Sequence, residues 1–121
     1  NRLSGPYNQP PFEACRVAPL GVVPKEGGKH RVIEHLSFPE GNSVNDCITK
    51  QECSLGSFDS ALDKIARTGR RAQMIKIDVK SAFRLIPVRN EDLSLLCIRW
   101  RERYYVDLAL PFGLRTSPAV W

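Results

Sequence analysis

In the segment MIKIDVKSAFRLIPV, Met74 to Val88, the apolar residues Ile75, Ile77 and Val79 alternate with Lys76 and Asp78. Successive side chains of a strand leave on opposite faces, so this alternation predicts a strand over residues 72–79 with Asp78 on its polar face near the C-terminal end. An unpaired carboxylate is costly to bury, and one held beside a turn needs a cation or several donors. The turn that follows, Val79 to Phe83, offers backbone N–H groups and the Lys80 charge, a combination that suits phosphate oxygens. Mg²⁺ is bound in such places through one or two carboxylates plus substrate phosphates. Two plainer explanations stand beside this one: Asp78 caps the turn, or it pairs with Lys76 or Lys80.

The rest of the chain supplies other periods. CRVAPLGVVPK and KHRVIEHLS are β-type runs on either side of the turn-forming Glu26 to Lys29, which predicts a hairpin. Residues 1–14, with Pro6, Pro10 and Pro11, read as an irregular lead-in, and Phe38 to Asp46 as a loop. SFDSALDKIARTG carries Phe58, Ala61, Leu62, Ile65 and Ala66 at helical spacing, with Ser57 as N-cap and Gly69 as stop. LLCIRW and YYVDLAL flank Arg101, Glu102 and Arg103 as a second hairpin with a charged tip. LPFGLRTSP then turns into a helix start, with Ser117 as N-cap and Pro118 as first helical residue. The order predicts an α+β fold with an antiparallel sheet.

A chain of 121 residues is about one domain long. It begins at Asn1, and the helix announced at Ser117 has only a few residues before Trp121, so further sequence is expected at both ends. Its 18 Lys and Arg against 13 Asp and Glu, a net charge of +5, favour polyanionic partners such as nucleic acid or nucleotides. No apolar run approaches the ~18 residues of a membrane-spanning helix and no signal-peptide pattern opens the chain, so neither a membrane partner nor a compartment is indicated. The four cysteines, at 15, 47, 53 and 97, form no C-x-x-C pair, and His30 and His35 are an odd number of residues apart. This spacing argues against a zinc module and for reduced thiols acting as small hydrophobes.

IKIDVKSAFRLIPV resembles the first palm motif of reverse transcriptases, an apolar strand that delivers a catalytic Asp with an aromatic residue five positions on. LPFGLRTSPAVW is similar to their second palm motif, and PLGVVPKEGGKHRVIEHLS to their fingers hairpin. The three occur in family order over most of residues 16–121. The wording PLGVVPK, RVIEHLSFPEGNSVND, DVKSAFRLIPV and YYVDLALPFG most resembles the DIRS-like tyrosine-recombinase retrotransposons. The resemblance implies a partial right-hand polymerase fold: a fingers portion over 15–71 and the N-terminal part of a palm over 72–121, its sheet incomplete.

The same resemblance assigns roles residue by residue. Asp78 would ligate Mg²⁺ with the Val79 carbonyl, and the N–H groups near Ser81 and Ala82 would face the phosphates of a deoxynucleoside triphosphate. Phe83 would lie beneath the sugar and exclude a 2′-hydroxyl; its plain alternative is a core aromatic. Lys25 and Arg31 would grip the triphosphate, a point charge and a bidentate fork; their plain alternative is solvated hairpin charge. Phe112 would line the nucleotide pocket, with Gly113 permitting close backbone approach.

One departure matters. The family needs a Tyr-x-Asp-Asp hairpin whose aspartates join the first around two metal ions. Tyr105-Val106-Asp107-Leu108 only imitates it, ending in Leu and preceding LPFG, so Asp107 reads as a strand or turn residue leading into the pocket. One carboxylate cannot hold two dications, so the chain by itself is expected to be an inactive piece of an RNA-directed DNA polymerase. Its partners would be an RNA or DNA template with primer, deoxynucleotides, and the thumb, RNase H and recombinase regions of a retroelement polyprotein. The competing expectation is a non-catalytic nucleic-acid-binding remnant in which Arg67, Arg70, Arg71, Arg99, Arg101 and Arg103 contact phosphates.

Overall fold

The second hairpin is the centre of the molecule. In a computed structural model, which describes residues 2–120, β5 (Cys97–Trp100) and β6 (Arg103–Asp107) pair antiparallel with Cys97 opposite Val106 and Trp100 opposite Arg103. The two residues between them, Arg101 and Glu102, have φ of 46° and 60°. A left-handed pair is what a two-residue hairpin connection requires for its twist to match the strands. The strain of placing non-glycine residues there is about 1 kcal/mol or more each, and Glu102 forms an ion pair with Arg99 across the turn.

Strand β1 (Leu3–Tyr7) adds to the far side of β6, with Leu3 opposite Asp107 and Tyr7 opposite Tyr104. The irregular lead-in expected over residues 1–14 is thereby corrected over Leu3–Tyr7, while residues 8–14 are irregular. Pro6 is tolerated in β1 because the strand lies at an edge of the sheet, where one side needs no N–H donor. On the other side of β5 lies β2 (Val17–Ala18), paired parallel, so the order is β1-β6-β5-β2 and the sheet is mixed where an antiparallel one was expected.

Pro19 divides the first β-type run. Beyond it, β3 (Leu20–Pro24) and β4 (His30–Glu34) form the expected hairpin as a separate two-stranded sheet, in register from Leu20 opposite Glu34 to Pro24 opposite His30. A 3-10 turn at Glu26–Gly28 closes it, with Gly27 and Gly28 both at positive φ. The core joins Ala18, Leu36 and Leu96, with Val44, Val88 and Leu114 packed against them.

Helix α1 (Phe58–Thr68) forms where its spacing places it. Ser57 Oγ accepts the Ser60 N–H at 3.0 Å, and the Gly69 N–H returns to the Ile65 carbonyl at 3.2 Å. Its apolar stripe is nevertheless exposed, Phe58 by 77%. The strand expected over 72–79 does not form: no described residue pairs with that segment, and Ile75 and Ile77 are 87% and 83% exposed. Alternation selects a strand only when a neighbouring strand completes its hydrogen bonds. Helix α2 (Ser117–Val120) begins one residue earlier than read. The Thr116 carbonyl accepts the Ala119 and Val120 N–H groups, and Ser117 Oγ, instead of capping, donates to the Pro111 carbonyl at 3.2 Å. Trp121, the end of the LPFGLRTSPAVW motif, lies outside the described residues.

The thiol expectation is corrected for two of the four cysteines. Cys15 and Cys97 form a disulfide, while Cys47 and Cys53 are free and exposed. The physical cause is the β2–β5 pairing: Arg16 N–H donates to the Ser94 carbonyl and Cys97 N–H to the Arg16 carbonyl, which brings together residues 82 apart in sequence. No helix of the described residues is long and apolar enough to cross a membrane.

Candidate functional site

Three distant segments meet at Phe112. The Arg31 guanidinium, from β4, lies 5.3 Å from the Phe112 ring centroid, and Phe83 packs on Phe112 with centroids 5.5 Å apart and planes at 57°. A cation over an aromatic face and a tilted ring pair are both favourable, together about 1–2 kcal/mol. Phe83 sits in a 3-10 turn, Ala82–Leu85, entered through Ser81 at φ 56° and closed by the Arg84 N–H on the Ser81 carbonyl at 2.8 Å. N–H groups at such a start have no acceptor within the turn, which suits the role read for Ser81 and Ala82.

Gly113 is needed for a different close approach from the one expected. Its φ is +110°, and a Cβ there would lie 2.5 Å from the Glu34 carbonyl oxygen, so glycine lets the turn after Phe112 press on the end of β4. Gly113→Ala is expected to lower stability by about 2–4 kcal/mol through backbone strain and overlap. Urea denaturation of the two proteins checks this; a loss below about 0.5 kcal/mol would mean the turn shifts freely.

Asn45 fastens the same turn and was legible in the sequence only as a loop residue. Buried, it donates to Ser37 Oγ at 2.9 Å and to the Gly113 carbonyl at 2.8 Å, and its Oδ1 accepts the Arg115 N–H at 2.8 Å. Behind Phe112 a cavity of about 250 Å³ is lined by Glu34, Arg84 and Asp107 among apolar neighbours. Asp107 is 2% exposed and ion-paired with Arg84, which also donates to the Ala109 carbonyl at 3.2 Å. Asp107 thus ends β6 and lines the cavity. The Glu34 carboxyl is pushed up from 4.5 to about 8 by burial first, then by the hydrogen bond and charge of Asp107, with Arg84 opposing.

Asp78, Val79 and Lys25 make no ion pair or aromatic contact with Arg31, Phe83 or Phe112 among the described residues. Asp78 is exposed, lies in no strand and forms no ion pair among the described residues, which corrects the strand-held position of the sequence reading and its plainer alternative of a pair with Lys76 or Lys80. Val79, next to it, is also exposed. Lys25 lies at the turn of the first hairpin, its N–H on the Lys29 carbonyl at 2.7 Å. Val23 is paired with Arg31, so two-residue alternation puts Lys25 on the Arg31 face. Among the described residues no cluster of three or more His, Cys, Asp or Glu could hold a metal ion. Asp78 with the Val79 carbonyl does not by itself make a whole Mg²⁺ site.

The chain is 24% identical over 118 residues to a retrovirus-related Pol polyprotein from transposon 297 of Drosophila melanogaster, covering 98% of this chain and 10% of that protein. It is 28% identical over 107 residues to the transposon Tf2-3 polyprotein of Schizosaccharomyces pombe, covering 88% and 7%. The chain therefore spans about a tenth or less of the curated relatives it matches. Among solved structures it superimposes on native prototype foamy virus protease-reverse transcriptase with a TM-score of 0.64 and 20% identity, over 98% of this chain and 14% of that one. A foamy viral protease-reverse transcriptase in complex with double-stranded DNA gives 0.63 and 20%, over 86% and 17%. No family model matches the chain. These likenesses show a fold shared with part of foamy virus protease-reverse transcriptase, in a chain similar to retroelement polyproteins.

Proposed function

We propose that this chain is the fingers portion and first part of the palm of a retroelement RNA-directed DNA polymerase, a nucleotidyltransferase acting on deoxynucleotides and a primed RNA or DNA template. The observation that carries the reading is the convergence of Arg31, Phe83 and Phe112, from three sequence-distant motifs, on one face. Residues 15–71 then form the fingers portion and 72–121 the early palm. Arg31, with Lys25 on the same face, holds the triphosphate; the start of the turn at Ser81 and Ala82 faces its phosphates; Phe83 and Phe112 bound the sugar and base. Asp78 and Val79 supply one edge of a two-ion Mg²⁺ site, the other carboxylates coming from a longer polypeptide. When bound, Mg²⁺ neutralises phosphate charge. The narrower likeness to DIRS-like elements rests on the motif wording alone.

The test uses the longer polypeptide of which we propose this chain is part. Mg²⁺-dependent extension of a primer on RNA or DNA is expected, and Phe83→Val is expected to raise the ratio of ribonucleotide to deoxynucleotide incorporation about tenfold or more, as a steric exclusion is lost. Absence of any extension sinks the polymerase reading. An unchanged ratio with intact extension returns Phe83 to core packing.

A second reading, a nucleic-acid-binding remnant without catalysis, draws on the tip of the β5–β6 hairpin. There Arg101 lies 5.7 Å from the Trp100 ring centroid and Arg99 5.7 Å from that of Tyr104, a basic and aromatic surface of the kind single strands stack on. Template binding without extension by the longer polypeptide would favour it.

A further inference from the structure

Glu34 ends a strand of the two-stranded sheet and Asp107 ends a strand of the four-stranded one. Their carboxyls meet in the cavity behind Phe112. Glu34 Oε2 is buried and finds no donor among the described residues. The carboxyl beside that of Glu34 is an acceptor already engaged: Asp107 Oδ2 takes the Arg84 guanidinium, and Oδ1 the Ala109 N–H at 3.3 Å. The other walls, Leu3, Leu20, Val32, Ile98 and Phe112, offer no polar side chain. Two carboxyl oxygens that face one another with no donor between them are satisfied only if one carries a proton.

We infer that one proton, carried by Glu34 and donated to Asp107, joins the β3–β4 hairpin to the four-stranded sheet, and that its loss to solvent in alkali loosens this joint. Arg84 on the 3-10 turn and Asp107 on β6 are the charged groups that face Glu34. When Glu34 ionises, two negative charges confront one guanidinium, and the repulsion acts between the two sheets. The end of β4 that would move is the one on which Gly113 is seated, so the placing of Phe112 under Arg31 is tied to this proton. The inference does not depend on the polymerase reading.

The direction of the pH effect follows from linkage. The folded chain binds the Glu34 proton more tightly than the unfolded chain, so stability is full below about 4.5, falls as pH rises, and levels off above about 8. On the 121-residue chain, carboxyl ¹³C NMR is expected to show Glu34 titrating near pH 8. Hydrogen-exchange protection of the β3–β4 amides is expected to fall at least tenfold between pH 6 and 9. In Glu34→Gln the amide donates to Asp107 with no proton to lose, and that fall should vanish. A Glu34 midpoint near 4.5, or an equal fall in protection in Glu34→Gln, overturns the inference. So does a Glu34→Gln chain that unfolds at pH 6, because the amide supplies the same donor.

Discussion

Asp78→Asn, placed in the longer polypeptide, is expected to lower Mg²⁺-dependent primer extension by at least about a hundredfold while leaving template–primer affinity within a few-fold of the parent. The amide keeps the size and hydrogen-bonding shape of the side chain and removes only the charge, so a loss confined to turnover reports a charge requirement. Asp78 is suited to this test because it supports nothing else: it is exposed and free of ion pairs among the described residues, and the substitution costs little stability. Steady-state kinetics separates the outcomes. Extension near the parent's rate would remove Asp78 from the metal-binding set, and an equal loss of affinity and turnover would point to template binding.

The largest effect on stability is expected at Arg84. Asp107 is almost wholly buried, and the Arg84 guanidinium is its one charged partner among the described residues. Arg84→Ala leaves that carboxylate in a low-dielectric site beside Glu34, and breaking a buried pair from one side costs about 3–5 kcal/mol. Folded domains have stabilities of about 5–15 kcal/mol, so the variant is expected to be partly unfolded at neutral pH. Adding Asp107→Asn should recover much of the loss, since the charge that needed compensation is then gone. Urea denaturation at pH 7 of the parent, both single variants and the double variant gives the coupling. A loss below about 1 kcal/mol for Arg84→Ala would mean that water reaches Asp107.

The two hairpins were legible because each carries its own evidence, two β-type runs and a turn between them. Gly27 and Gly28 supply positive φ in one, and a two-residue charged tip closes the other. The helix at 58–68 was equally local, since its caps and its period lie within the same thirteen residues, Ser57 to Gly69. The segment 72–79 carries as clear a period and forms no strand, because a ladder needs a second chain segment and none of the described residues supplies it. Its apolar side chains and the stripe of α1 are both left in solvent for the same reason.

At the candidate site, Arg31, Phe83 and Phe112 could be named from motif resemblance, and the fold brings those three together. Asn45 could not be named: its three hydrogen bonds reach Ser37, Gly113 and Arg115, and a single Asn in a turn-rich loop gives no hint of partners about 70 residues away. The Cys15–Cys97 disulfide escaped for a similar reason, since it depends on a parallel pairing of two residues in β2 that no local pattern announces.

By itself the sequence determined the local elements, whose hydrogen bonds close within a few residues of one another, and the motif order that aligns this chain with retroelement polyproteins. The tertiary structure alone decided which sheet each strand joined and which thiols met. It also decided that Gly113 answers to the backbone of Glu34 and that Glu34 faces Asp107. These are contacts between segments distant along the chain, and the physical reason is burial: a carboxyl's protonation, a glycine's necessity and a strand's existence are set by what the fold places against them.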